Sequence, residues 1–368
     1  MPTTPVRLSA AVMTHPRRAA AARDLVERFP ELDLTIASDP EPDGPPTALR
    51  SARVAWESVR PGATHHLVLQ DDAVPAEDLL ERLLPLLEAE PKSAVCLFTE
   101  WGSRTSYAVR TAAMLGHDLA PAVDDYVPSV ALVLPAELAL GFAGFIRAKA
   151  DTGHPDDVAM LHYLADRGTR TVVPVVNLVD HHNDVSLVGN NVHGLRSAVC
   201  LGPADPAPTA GAPYSLLTGL ATVPYYDFWG QYSQACVPDA SAVDGRVRTS
   251  ARDALLERGV TMEHLTAGLR ISLARRPESA LLTDRLSEIV LTEVWIISFL
   301  LGVVTAEVDP AGGAGIDADR PVAAAALATL GPGAVRRVVP ERLLPAIGAL
   351  LRPLVRDAVL AGVQAVRG

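Results

Sequence analysis

The stretch Leu67-Val68-Leu69-Gln70-Asp71-Asp72 constrains this chain more than any other, because three apolar residues of the kind that bury in a strand give way abruptly to an amide and two carboxylates. A strand of that composition presents its acids at its carboxyl end, and in open α/β sheets the ligand crevice lies outside those ends. Two adjacent acids there suit a hard divalent cation and, through it, a phosphate. The competing reading is that Asp71 or Asp72 caps the helix that begins near Pro75.

The surrounding pattern builds a frame for this strand. An apolar strand over 8–13 ends at Thr14-His15-Pro16 and is followed by a helical stretch over 17–29. A second strand over 32–37 ends at Ser38-Asp39-Pro40, and 48–59 is amphipathic. The acid-ended strand, a helix over 76–88 and a fourth strand over 94–98 complete the alternation. Strand and helix in turn, with short links, predict an α/β fold whose mostly parallel sheet is flanked by helices. No GxGxxG follows the first strand and no GxxxxGK[ST] occurs, which argues against a dinucleotide Rossmann site and a P-loop. Polar groups instead gather where the first three strands end: Thr14 with Arg17 and Arg18, then Asp39, then Asp71 and Asp72. That convergence fits a nucleotide pocket.

Beyond the fourth strand, 101–126 reads as a long connection, 129–134 as a buried strand and 135–150 as a helix. Asp156 and Asp157 fall in the first turn of a further helix, where the helix dipole stabilises carboxylates whether or not they do chemistry. A β-branched strand over 171–179 ends at Asp180-His181-His182-Asn183-Asp184, a second dense group of potential metal ligands.

Composition narrows the classes. Of 368 residues, 43 are acidic and 32 basic, and the acidic excess lies entirely before residue 236. With no basic patch, nucleic-acid binding has no support. Cys96, Cys200 and Cys236 form neither a disulfide framework nor a zinc pattern, which points to a reducing cytoplasm. The most apolar window, 294–306, is shorter than the roughly 20 residues a spanning helix needs, so a buried helix is expected there. The chain divides on this reading into a catalytic unit over 1–200, a linker and aromatic segment over 201–240, and a helical domain over 241–368. The aromatic segment holds Tyr214, Tyr225, Tyr226, Phe228 and Trp229, a packing cluster or a sugar-stacking surface. The helical domain carries no catalytic motif and is the expected surface for self-association.

With these residues laid out, roughly the first 195 resemble nucleotide-sugar-dependent glycosyltransferases of the GT-A fold. LVLQDD resembles that family's acid-ended strand, and Gly153-His154-Pro155-Asp156-Asp157 resembles the opening of its acceptor-side helix. Val179-Asp180-His181-His182-Asn183-Asp184-Val185-Ser186 resembles a segment whose His binds metal; Gln70, Asp180 and Asn183 depart from the usual pattern. The resemblance implies transfer of a sugar from a nucleoside-diphosphate sugar to an acceptor hydroxyl, with Mn²⁺ or Mg²⁺ held by Asp72 and His181. It implies donor contacts from Thr14, Arg17, Asp39, Arg53, Asp71 and Ser186, and a catalytic base at Asp156 or Asp157. Two other readings stay open: a metal-dependent phosphoesterase or hydrolase, and a non-catalytic binding protein of the same fold.

Overall fold

The structure is a computed structural model that describes residues 5–148, 155–183, 190–201, 214–243 and 245–367. Its centre is a seven-stranded sheet. Strand β1 (Leu8–Thr14) runs parallel to β2 (Thr35–Ser38) on one side and to β3 (His65–Gln70) on the other. A short strand β4 (Ala73–Pro75) follows the acids, and β5 (Ala94–Cys96), β6 (Leu119–Pro121), β7 (Ala131–Pro135), β8 (Thr171–Pro174) and β9 (Val179–His181) come later in the chain. The sheet order is β2-β1-β3-β7-β5-β8-β6. Helices α1 (Ala19–Arg28), α2 (Leu49–Glu57), α3 (Leu79–Ala89), α4 (Arg104–Leu115), α5 (Ala136–Ala148) and α6 (Asp156–Ala165) lie between the strands.

The continuous apolar run of β3 is explained by burial on both faces. Leu67 and Leu69 join one hydrophobic layer with α1 and α3, whereas Val68 between them joins the opposite layer with α2, α4 and α5. This is the two-residue alternation of a strand read out in packing.

Three expectations need correction. The sheet is mixed: β7 runs antiparallel to both β3 and β5, and β6 runs antiparallel to β8. An apolar strand carries no direction in its composition, and no helix separates β6 from β7 to enforce a parallel crossover. The segment over 101–126 is not a loose connection, since it contains α4 and β6. Helix α4 is buried from Arg104 to Met114, polar residues such as Ser106, Arg110 and Thr111 included, so its burial does not follow an apolar stripe. Lastly, the region over 201–250 holds a three-stranded antiparallel sheet: β10 (Val223–Asp227), β11 (Tyr232–Pro238) and β12 (Arg246–Ser250). Its third strand falls inside the stretch expected to be wholly helical. Tyr225 and Tyr226 belong to β10, so these aromatics are strand residues.

From residue 251 the described chain is helical: α7 (Ala251–Leu256), α8 (Met262–Ala274), α9 (Ser279–Arg285), α10 (Glu288–Val308), α11 (Pro321–Ala328), α12 (Leu330–Val335) and α13 (Leu344–Arg367). Helix α10, at 21 residues, is long and apolar enough to cross a membrane by length and composition, and 83% of its apolar window is buried within the protein. It packs on α13 with backbones in contact, because Gly302 faces the Val359 carbonyl and Gly362 faces the Phe299 carbonyl. The helices share one hydrophobic layer with α4 and the underside of the sheet.

Arg110 ties the two parts together. Its guanidinium is buried and donates from Nε to the Ala326 carbonyl, from Nη1 to Ser106 Oγ, and from Nη2 to the Trp101 carbonyl and Thr329 Oγ1. The donors are matched to oxygens in the fixed fork that only arginine offers.

Candidate functional site

A cavity of about 1370 Å³ opens along the carboxyl ends of β1, β2 and β3 and reaches across to the starts of α4 and α6. Its size exceeds the roughly 300–1,000 Å³ of a pocket for one small ligand. It therefore has room for two.

At one end the short ribbon β4–β9 determines the geometry. Ala73 pairs with His181, and the amide of His182 donates to the carbonyl of Asp72 at 2.8 Å. That register brings His181 Nε2 to 3.4 Å from Asp72 Oδ2. Arg18 Nη1 bridges the two acids, 3.0 Å from Asp71 Oδ1 and 3.1 Å from Asp72 Oδ2, and Thr14 Oγ1 donates to Asp71 Oδ2 at 2.6 Å. Burial pushes the Asp71 carboxyl above its usual range despite Thr14 and Arg18. Burial also pushes Asp72 up, but the His181 and Arg18 contacts outweigh it and the net shift is downward.

Arg196 Nη2 lies 2.8 Å from the same Nε2 of His181. A guanidinium only donates, so this contact requires Nε2 to present its lone pair. The shorter contact is the better hydrogen bond. Arg18 then carries the stabilisation of ionised Asp72. Asn183 holds Arg196 in place, its Oδ1 accepting from the Arg196 amide at 2.6 Å and its Nδ2 donating to the Arg196 carbonyl at 2.8 Å. Asp180 is turned away from the acids and accepts from the Ala198 amide at 2.8 Å.

Among the described residues no three His, Cys, Asp or Glu side chains are grouped as ligands of one ion. Asp72 and His181 do converge as a pair, and Asp72 Oδ1 is a buried oxygen with no hydrogen-bond partner among the described residues. A divalent ion held by Asp72 Oδ1 and His181 Nε2 would take the place of Arg196 on that lone pair and keep water or phosphate oxygens as its other ligands. Asp71 is committed to Thr14 and Arg18.

Asp39, at the end of β2, is held by a two-point ion pair with Arg50 at 2.9 Å, and Arg50 pulls its carboxyl below the usual range. Arg17 and Arg53 line the same cavity, and Ser186 lies outside the described residues.

At the other end Asp156 and Asp157 open α6. Asp157 Oδ1 accepts from the Val158 amide at 2.7 Å, and Gln70 Nε2 donates to Ser129 Oγ at 3.2 Å. Ser129 also lowers the Asp156 carboxyl, against the larger effect of burial. Burial, reinforced by the neighbouring Asp157 charge, raises the Asp156 carboxyl to about 7, and burial also raises Asp157.

All the expected side chains within the described residues thus line one cavity, His181 excepted, which backs it behind Asp72 and Arg196. Sequence reasoning missed Arg50, Ser129, Asp124 and Arg196 as parts of the site. Only Asp124, in the polar run Val123-Asp124-Asp125-Tyr126, carried a local signal. The chain matches no protein-family profile and no curated protein.

Proposed function

We propose that this protein is a GT-A-like glycosyltransferase that moves a sugar from a nucleoside-diphosphate sugar to an acceptor hydroxyl. The observation that carries the reading is the approach of His181 to Asp72 on the wall of a two-substrate cavity whose far end holds Asp156 and Asp157. Asp72 and His181 would hold Mn²⁺ or Mg²⁺, which when bound supplies Lewis-acid neutralisation of the diphosphate leaving group. Arg17, Arg18 and Arg196 add positive charge around the diphosphate. Asp39 and Arg53 face the remainder of the nucleotide. Asp156 or Asp157 accepts the proton of the acceptor hydroxyl, a role for which a carboxyl raised to about 7 is suited at neutral pH.

A thermal-shift panel of UDP-, GDP- and dTDP-sugars, each with and without Mn²⁺, tests this. One donor with metal should raise the melting temperature, since a ligand that binds only the folded state stabilises it. No shift with any of them would overturn the reading.

A further inference from the structure

The cavity is electrically divided. Its donor end contributes Arg17, Arg18, Arg50, Arg53 and Arg196 against Asp39, Asp43, Asp71 and Asp72, so the charges there nearly balance. The lining between Phe98 and Asp157 carries an excess of acids. It contributes Glu100, Asp124, Asp125, Asp156 and Asp157 against Arg104 and Arg147. Arg147 is further engaged with Glu57.

Two of those acids are neutralised within the protein. Asp125 pairs with Arg104 at 2.8 Å and Arg248 at 3.2 Å, and Glu100 pairs with Arg336. Asp124, Asp156 and Asp157 have no cationic side chain paired with them among the described residues. Asp124 is 4% exposed; its Oδ1 accepts the Arg104 and Thr105 amides at the start of α4, at 2.6 and 3.2 Å, and its buried Oδ2 has no hydrogen-bond partner among the described residues. A buried carboxylate oxygen left unpaired, as at Asp124, is costly unless a ligand provides a partner. Burial raises all three carboxyls, and the neighbouring acids raise them further.

The same wall is aromatic. Tyr225, Phe228 and Trp229 line it, and Trp229 is 46% exposed. These rings already hold cations: Arg336 lies 3.8 Å over Phe228 and Arg337 3.8 Å over Trp229. A sugar ring offers an apolar C–H face to such a surface and its hydroxyls to the acids beside it.

We propose that the acceptor is a polyhydroxylated amine, an amino sugar or amino cyclitol, whose ammonium group is received by Asp124, Asp156 and Asp157 and whose ring lies against Trp229. The proposal rests on the transferase reading and names the substrate class of its second subsite. A cationic acceptor is thereby sorted from the anionic donor by the field of the cavity itself.

The test uses the full chain without any nucleotide and a matched pair of probes, the glucosamine trisaccharide and the N-acetylglucosamine trisaccharide. They differ in the charge of their three nitrogens. Titration calorimetry near pH 7.5 and low salt should show the amine form binding at least about tenfold more tightly. The preference should shrink at about 0.5 M salt. Asp124→Asn keeps the acceptor oxygen for the α4 amides and should reduce the preference severalfold, as should Asp156→Asn if the first variant does not fold. Trp229→Ala should weaken both probes. Equal affinity for the two trisaccharides, a preference for the acetylated one, or no binding of either to the folded protein would overturn the proposal. Because no donor is present, these results are independent of the donor panel above: a protein that binds a donor sugar with Mn²⁺ but treats the probes alike refutes this inference alone.

Discussion

His181 Nε2 stands 3.4 Å from Asp72 Oδ2, and the register that places it there pairs Ala73 with His181 in a two-stranded ribbon separate from the main sheet. His181 ends one strand of that ribbon and Asp72 immediately precedes the other, so the pair is fixed by backbone pairing. The Arg18 guanidinium lies against the same carboxylate oxygen, as the internal counter-charge of the site.

Replacement of that counter-charge is informative. In Arg18→Met the two neighbouring acids lose their bridging cation, so the protein without metal should melt lower. The rise produced by Mn²⁺ should be larger than in the wild type, because the ion then relieves a greater repulsion. Differential scanning fluorimetry with and without Mn²⁺ measures both; an unchanged Mn²⁺ response would show that Arg18 and the ion do not share Asp72.

The raised Asp156 carboxyl sets a pH dependence. Its folded value of about 7 lies above the ordinary Asp value, so the folded state holds an extra proton between about pH 4 and 7. That contribution to stability is present at low pH and is lost as pH rises through 7. Asp156→Asn should therefore raise Tm at about pH 8 by a degree or more and leave it nearly unchanged near pH 4. If Asp156 is the base, kcat should climb through an apparent pKa near 7, the acidic limb of the profile. A rate flat from about pH 5 to 8 would remove Asp156 from that role.

Much of this was legible in the sequence, and what was not has physical causes. The strand β3 and its acids, the helix start at Asp156 and the ligand-rich end at His181 were all visible as changes of polarity, which one sequence displays locally. The direction of β7 was hidden because apolar strands read alike either way. Helix α4 was hidden because its buried positions include polar residues, Ser106, Arg110 and Thr111 among them, which break any apolar stripe. Arg196 and Ser129 matter only through partners distant in the chain, His181 and Gln70, and nothing adjacent to them announces it.

Arg110 should prove irreplaceable for stability. Arg110→Ala leaves the carbonyls of Trp101 and Ala326 without their buried donor and opens a cavity between α4 and α11, at a cost of about 3 kcal/mol or more. Arg110→Lys should recover little, since one ammonium cannot reach all four oxygens. Urea unfolding of the three proteins decides; a lysine variant as stable as the wild type would contradict it.

The contact of α10 with α13 makes a separate prediction. A methyl group at Gly302 would run into the Val359 carbonyl, so Gly302→Ala must push the helices apart, costing about 3 kcal/mol. Gly144→Ala, where a Cβ meets nothing within 4 Å, serves as the control. In the same urea experiment, equal midpoints for the two variants would refute the close packing.

Asp72 serves the donor site and Asp157 the acceptor site in the proposed transferase. Titrating the donor sugar that the thermal panel identifies into the wild type, Asp72→Ala and Asp157→Asn in the presence of Mn²⁺ tests this division most directly. A metal ligand holds the diphosphate in the ground state, whereas a carboxylate on the acceptor side acts once the acceptor is engaged. Donor affinity should fall by about a hundredfold or more in Asp72→Ala and stay within about twofold of wild type in Asp157→Asn. Undiminished donor binding by a folded Asp72→Ala protein would contradict the account.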